Sequence, residues 1–371
     1  MEGPKNIRTQ AYIVPSKSAP FELRDVVLDE VRPSEVLVEI KYTGICHTDI
    51  VVQHGGMPIG DYPAVLGHEG VGIVRCIGPS VANKSLAVND TVCLSFHSCG
   101  KCRACKTGEC GSCPGMTEIN FLSTSRSGAP LSPISLLDGT SVHGQFFGQS
   151  SLSRMAVVAE KSVVKVDARP EEMPFLAPLG CGYLTGSGTV LNVLKPRSED
   201  SIVVLGLGAV GLAALMAAKA LGLRKIVAVD LLDTKLKIAS TLGATDTVNT
   251  STQTDLATAL RTILPTGADY IVDATGSATL IETIVTCLGH GGTLALVGVP
   301  PPQATLKINA LDLLLSCKRI VGVIEGRSDP HVLIPRLLQL FREDKFPIDR
   351  LAELYPADKL PQAIEDLKSG S

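Results

Sequence analysis

Gly206-Leu207-Gly208-Ala209-Val210-Gly211 follows a short β-branched run at residues 202–205 and opens an apolar stretch that reads as a helix. This placement constrains the fold more than any other feature of the chain. A strand that turns through G-x-G-x-x-G into a helix begins a crossover unit. Gly206 permits the tight turn, Gly208 lets backbone amides approach a bound group, and Gly211 lets the helix pack closely on the strand. From Ser201 onward, short apolar runs at 202–205, 226–230, 270–273, 293–297 and 320–324 alternate with helical stretches such as 234–242. Strands of this kind are buried on both faces, which predicts an α/β, doubly wound parallel sheet.

The turn carries a functional expectation. A helix N-terminus facing the glycines suits a pyrophosphate. Asp230 closes the next strand about 20 residues on, where a carboxylate accepts adenosine ribose hydroxyls and repels a 2′-phosphate. Leu231 and Leu232 follow it, with no arginine, so the pattern favours NAD over NADP. Lys235, about one helical turn further, is placed to cover the ribose.

Five cysteines fall within residues 99–113, at 99, 102, 105, 110 and 113. Two-residue spacings bring neighbouring thiolates onto one ion, and Cys113 can close the tetrahedron with Cys99, Cys102 and Cys105, leaving Cys110 surplus. Four thiolates leave no open coordination position, so this site holds structure and the chemistry lies elsewhere. The segment 1–5 has no basic patch followed by an apolar stretch, which predicts a cytoplasmic chain with reduced thiols.

Composition excludes other classes. The formal charge of −3 and 4% aromatic residues argue against a nucleic-acid surface and for small-molecule partners. Residues 202–223 are apolar apart from Lys219 and match a membrane span in length, but the glycine punctuation divides them into strand and helix. No membrane partner is expected.

The part before residue 181 reads as β-rich, with strands at 36–42, 71–77, 91–94, 155–158 and 163–166. Residues 114–150, rich in Ser, Gly and Pro, read as loop. A late helix is expected to start with Asp329 as N-cap and Pro330 in its first turn, and to bend at Pro335.

Two further stretches, Gly44-Ile45-Cys46-His47-Thr48-Asp49 and Gly67-His68-Glu69-Gly70, join Pro178-Leu179-Gly180-Cys181-Gly182 as carriers of ligand-type side chains. Cys46, His68 and Cys181 would give zinc two sulfurs and an imidazole with a fourth position open, as catalysis requires. Two thiolates and a neutral imidazole cancel the formal +2 of the ion.

With these motifs, the chain resembles the zinc-dependent medium-chain dehydrogenase/reductase family, in particular its aryl-alcohol dehydrogenases. The likeness runs from about residue 10 to 370. Besides the stretches already quoted it takes in Phe146-Phe147-Gly148-Gln149-Ser150-Ser151, Asp273-Ala274-Thr275-Gly276, Val297-Gly298-Val299-Pro300 and Val323-Ile324-Glu325-Gly326. The resemblance implies a GroES-like catalytic domain over 1–181 with a metal lobe near 95–115, a Rossmann domain over 182–324, and a return to the first domain over 325–371.

It also implies roles. Cys46, His68 and Cys181 would bind catalytic zinc, with Glu69 behind the ion, and Asp49 would take the second ring proton of His68. Thr48 would receive the alcohol proton and His47 would face the pyrophosphate. Thr185, Val210 and Val299 would hold the nicotinamide, with Thr275, Val297 and Gly298 about its pocket. Ser95 and Phe96, with Thr48, would line the alcohol channel, and a small Ser95 leaves room for an aromatic or allylic group. The implied reaction is reversible oxidation of a primary alcohol with NAD and two zinc ions per chain, in a homodimer or homotetramer. Val51 stands where many relatives carry a proton-relaying histidine, and the sequence ends at Ser371 where relatives continue into a last strand. Two rival readings are a quinone or enoyl reductase on the same fold, whose members typically lack the zinc ligands kept here, and a zinc-stabilised cofactor-binding protein.

Overall fold

The structure, a computed structural model, describes residues 4–124, 126, 128–253 and 255–370. The chain forms two compact units. One takes the residues up to Cys181 with Asp329–Pro335 and the stretch from Ile348 onward; the other takes Gly182–Ser328 and Arg336–Pro347.

The first unit holds two five-stranded antiparallel sheets. One runs Ala64–Val65, Lys5–Val14, Glu22–Glu30, Ile134–Leu136, Ser141–Val142; the other runs Val163–Lys165, Thr91–Leu94, Gly70–Ile77, Glu35–Thr43, Met155–Ala159. Strand alternation decides which core each residue joins. Along Glu35–Thr43, Leu37 packs with Val26, Leu28, Ala11 and Ile13, whereas its neighbours Val36 and Val38 pack with Val74, Val92 and Val158 on the opposite face. Each fully buried Val or Leu contributes about 1.5–3 kcal/mol relative to exposure.

In the second unit, six parallel strands run in the order Asp246–Asn249, Lys225–Asp230, Ser201–Leu205, Ala268–Asp273, Leu288–Leu296, Arg319–Gly322. Numbered along the chain this is 3-2-1-4-5-6, the doubly wound arrangement, whose ligand crevice lies beyond the carboxyl ends at the reversal between strands 1 and 4. The apolar stretch at 202–223 divides into Ser201–Leu205, the glycine turn and the helix Ala209–Ala220, whose Ala- and Leu-rich face is buried. Among the described residues no helix is long and apolar enough to cross a membrane.

Two local expectations need revision. The strands Lys5–Val14 and Glu22–Glu30 were not legible, because most of their side chains are polar or partly exposed. Residues 114–150 contain the helix Met116–Asn120 and the strands Ile134–Leu136 and Ser141–Val142. The late helix spans Pro330–Arg342 with Pro335 inside it and starts after Asp329, whose carboxylate accepts the His331 amide at 3.0 Å, as the sequence led one to expect.

Candidate active site

The antiparallel register of the second sheet gathers chain ends. Thr43, at the end of one strand, pairs with Gly70 at the start of the next, and Val71 pairs with Cys93 near the end of a third. Residues that follow Thr43, precede Gly70 and follow Leu94 therefore emerge on one edge. Cys46 and His68 belong to the first two exits. Cys181 arrives through the turn Ala177–Gly180, where Gly180 lies so close to the Leu94 carbonyl that a Cβ would collide with it. The result is a cluster in which ligand atoms of Cys46, His68, Glu69 and Cys181 all lie within 4.8 Å of one another.

Asp49 organises this cluster. It is 0% exposed, and its Oδ1 accepts from His68 Nδ1 at 3.1 Å and from the Gly67 amide at 3.0 Å. Its Oδ2 accepts from the Cys46 amide at 3.1 Å, which caps the helix His47–Gln53. A proton on Nδ1 leaves Nε2 with a lone pair, and Nε2 is fully buried without a hydrogen-bond partner. An orphaned acceptor costs about 1–3 kcal/mol, and beside two sulfurs it is explained by a metal ion: the donor set fits zinc. The Cys46 thiol is held well below its ordinary range by a hydrogen bond from Cys181, against burial and with help from His68 and the Thr48 amide. Burial disfavours charge on His68, but in the ion-free site Asp49 and Cys46 outweigh it and raise its pKa; an ion on Nε2 would displace that proton. Phe146 and Phe147 flank the imidazole, with ring centroids 5.6 and 4.6 Å away.

His47 is exposed and Thr48 half-buried, both at the start of the same helix. Ser95, expected on the wall of an alcohol channel, is 0% exposed, its hydroxyl donating to the Gly180 carbonyl at 2.6 Å, and Phe96 is buried. Sequence reasoning also missed Gln149, which bonds the His68 carbonyl at 2.8 Å. Its motif was visible, but nothing local assigns it a partner.

A second cluster brings together Cys99, Cys102, Cys105 and Cys113, again within 4.8 Å. Cys110 lies outside this group of four, and all described cysteines are free thiols. Burial opposes ionisation of Cys99, but the Lys101 and Cys102 amides pull it down to about 6; burial pushes Cys113 up to about 12. Four sulfurs at this spacing can hold a tetrahedral ion.

In the second unit the glycine turn, Asp230, Thr275 and residues 297–299 lie at the carboxyl ends of strands, whereas Thr185 and Lys235 lie in helices. Gly206 has φ +81°, and a Cβ on Gly211 would collide with the Gly206 carbonyl, so helix and turn need both glycines. Gly208 faces open space where a Cβ would meet nothing within 4 Å, the approach a pyrophosphate needs. Asp230 accepts from the Leu207 amide at 2.7 Å, Leu231 at 2.8 Å and Leu232 at 3.0 Å, which fixes its carboxylate beside the glycine turn that leads into Ala209 and Val210, the first residues of the helix. Thr275 follows the fourth strand, its hydroxyl donating to Asp273 at 2.6 Å. The Val297 and Gly298 amides each reach the Asp273 carbonyl at 2.9 Å, and Val299 is exposed. Lys235 is half-buried in the helix Asp233–Leu242. Thr185 is buried, its hydroxyl donating to Glu325 at 3.2 Å.

Comparison with known proteins agrees with this architecture. Residues 32–168 match the alcohol dehydrogenase GroES-like domain, and residues 209–343 match the zinc-binding dehydrogenase domain. Geraniol dehydrogenase of Castellaniella defragrans is 36% identical over 367 residues, covering 98% of this chain and 96% of that protein. Benzyl alcohol dehydrogenase of Acinetobacter calcoaceticus superposes with a TM-score of 0.90 at 39% identity, covering 98% of this chain and 97% of the other. An alcohol dehydrogenase zinc-binding domain protein of Burkholderia ambifaria gives 0.93 at 36% identity, covering 99% and 97%. The chain therefore belongs to the zinc-dependent alcohol dehydrogenases of the medium-chain dehydrogenase/reductase family, aryl-alcohol type, oxidoreductases that act on small molecules with zinc and a nicotinamide cofactor.

Proposed function

We propose that Cys46, His68 and Cys181 hold a catalytic zinc ion, with Glu69 as a carboxylate in reserve, and that the enzyme interconverts primary aromatic or allylic alcohols and their aldehydes with NAD. The observation that carries this reading is the buried, unpartnered His68 Nε2 beside Cys46 and Cys181. When bound, zinc supplies Lewis acidity toward an alcohol oxygen and the nicotinamide accepts a hydride. The chain supplies the rest. Asp49 holds the His68 proton on Nδ1 and keeps Nε2 available as a donor atom. Thr48 takes the alcohol proton on its hydroxyl, one residue from the ring-bearing His47, which meets the pyrophosphate. Val51, apolar and half-buried in the same helix, has no group that can pass a proton onward, so Thr48 would hand its own proton to a bound cofactor hydroxyl and, from there, to water or another base. Phe146 and Phe147 keep water from the imidazole.

Gly206, Leu207, Gly208, Ala209, Val210 and Gly211 receive the pyrophosphate, Asp230 and Lys235 the adenosine ribose, and Thr185, Thr275, Val297, Gly298 and Val299 the nicotinamide. NAD is preferred because a fixed Asp230 carboxylate repels a 2′-phosphate. A second zinc sits on Cys99, Cys102, Cys105 and Cys113, within a catalytic domain spanning 1–181; residues 182–324 bind the nucleotide. The names of the two relatives, geraniol dehydrogenase and benzyl alcohol dehydrogenase, support the allylic and aromatic class. The edge strand Arg319–Gly322 supports pairing between subunits in a homodimer or homotetramer, and the density of free thiols suits the cytoplasm.

Purified enzyme given NAD and a panel of benzyl, cinnamyl, geranyl and short aliphatic alcohols should form NADH fastest with the first three, and elemental analysis should find about two zinc ions per chain. NADH formation confined to short aliphatic alcohols would refute the substrate class.

A further inference from the structure

We propose that Gln149 is a positioning residue that ties the His68 and Cys181 ligand segments into one rigid metal-binding geometry. This rests on the reading of Cys46, His68 and Cys181 as zinc ligands.

Gln149 is 1% exposed. Its Oε1 accepts from the Gly70 amide at 3.1 Å, and its Nε2 donates to the His68 carbonyl at 2.8 Å and to the Ser95 carbonyl at 3.2 Å. The partners dictate the orientation of the carboxamide, since an N–H can only donate and two carbonyls can only accept. Bonding both His68 and Gly70, the side chain acts as a short neighbouring strand and holds the segment that bears His68 and Glu69. Ser95 extends the link. Its carbonyl takes Gln149, and its hydroxyl donates to Gly180 at 2.6 Å, immediately before Cys181. One amide and one hydroxyl thus connect two ligand segments that are remote in sequence.

The loop that presents Gln149 is strained. Gln145, Phe147 and Ser150 have φ of +54°, +53° and +56°, a left-handed conformation that non-glycine residues seldom adopt. The loop is fastened by Ser150 Oγ to the Val65 carbonyl at 2.7 Å and by the Ser151 amide to the Gly67 carbonyl at 2.9 Å. Strain of this kind persists where the surroundings over-determine it, and it concentrates at functional segments. Here it delivers a carboxamide to the backbone beneath the metal ligands.

The test uses the zinc-loaded full-length enzyme and its Gln149→Met variant, which keeps the side chain's length and removes all three hydrogen bonds. Zinc release to a chromophoric chelator is followed, together with the absorption spectrum of cobalt placed at the Cys46–His68–Cys181 centre. Outer-shell partners of metal ligands typically change affinity about 10- to 100-fold. The expected result is release of one ion accelerated by that factor, a shifted cobalt spectrum, and unchanged release from the four-cysteine cluster. Ser95→Ala should accelerate release of the same ion by a smaller factor, and the double variant should be less than additive; this arm decides the matter if Gln149→Met does not fold. Wild-type release and an unshifted spectrum would overturn the proposal, as would equal acceleration of both ions, which signals general destabilisation. A wild-type enzyme that binds only the four-cysteine ion would instead remove the catalytic-zinc reading beneath it.

Discussion

Asp49→Asn tests the centre at its most constrained point. The carboxylate accepts three hydrogen bonds, from His68 Nδ1, the Gly67 amide and the Cys46 amide, and is fully buried. Asparagine offers one oxygen and one NH2 in the same space, so two arrangements are open to it. If its oxygen keeps the Oδ1 position, its NH2 points at the Cys46 N–H, and a buried donor is left orphaned at a cost of about 1–3 kcal/mol. If its NH2 takes the Oδ1 position, the Gly67 amide is orphaned and His68 must accept on Nδ1. The ring proton then moves to Nε2, and the donor atom aimed at Cys46 and Cys181 is lost. Either outcome weakens the metal site. Removal of a histidine's orienting partner costs about 10- to 100-fold in metal affinity or activity, equivalent to about 1.4–2.8 kcal/mol. Zinc retention under chelator competition and kcat/KM with benzyl alcohol measure it. A variant that retains zinc and kcat/KM within about twofold would refute the claim that Asp49 fixes the His68 tautomer.

Three other outcomes are expected. Cys105→Ser should lower zinc content from about two ions per chain to about one and reduce the thermal midpoint, since a four-thiolate site contributes folding energy directly; full zinc retention would contradict the assignment. Asp230→Asn should raise the ratio of NADP to NAD turnover at least about tenfold, because a unit charge at about 4 Å contributes about 4 kcal/mol of repulsion at an effective dielectric of 20; an unchanged ratio would count against the ribose assignment. His143 is pushed below the ordinary histidine range chiefly by burial, so the unfolded chain binds more protons than the folded one below about pH 6.5 and stability falls as pH drops through that point. His143→Gln, which preserves a donor toward the Phe121 carbonyl now reached by Nε2 at 3.1 Å, should flatten the slope by up to about 1.4 kcal/mol per pH unit, as read from urea unfolding at several pH values.

What the sequence disclosed depended on how local the chemistry is. The turn from Gly206 to Gly211 was legible because each glycine answers a constraint within a few residues, a positive φ at Gly206 or a close carbonyl at Gly211. The four-cysteine cluster was legible for the same reason. The strands Lys5–Val14 and Glu22–Glu30 were not, since each pairs with the other across a turn and shows the core only one partly polar face. Ser95 illustrates what spacing leaves out. Its small size suggested open space, but its hydroxyl is bonded to Gly180, a partner that no spacing in the sequence identifies. Gln149 is the same case with three backbone partners.

The architecture explains why those hidden partners gather at the proposed metal ligands. Antiparallel register brings the exits after Thr43, before Gly70 and after Leu94 to one sheet edge, so Cys46 and His68 are positioned by ladder hydrogen bonds that many residues share. Cys181 lies outside that ladder. It reaches the edge on a turn whose fit depends on the absence of a side chain at Gly180 and on the Ser95 hydroxyl. A side chain displaced by one ångström no longer completes a tetrahedral site, and a single turn cannot provide the rigidity that a sheet provides. The buried polar residues around the centre meet that need in different ways. Asp49 joins the Cys46 and His68 segments across the sheet edge, and Gln149, through Ser95, joins the sheet edge to the turn of Cys181. The sheet alone would deliver two of the proposed ligands, and the third is held by side chains whose hydrogen-bonding capacity is directed at backbone.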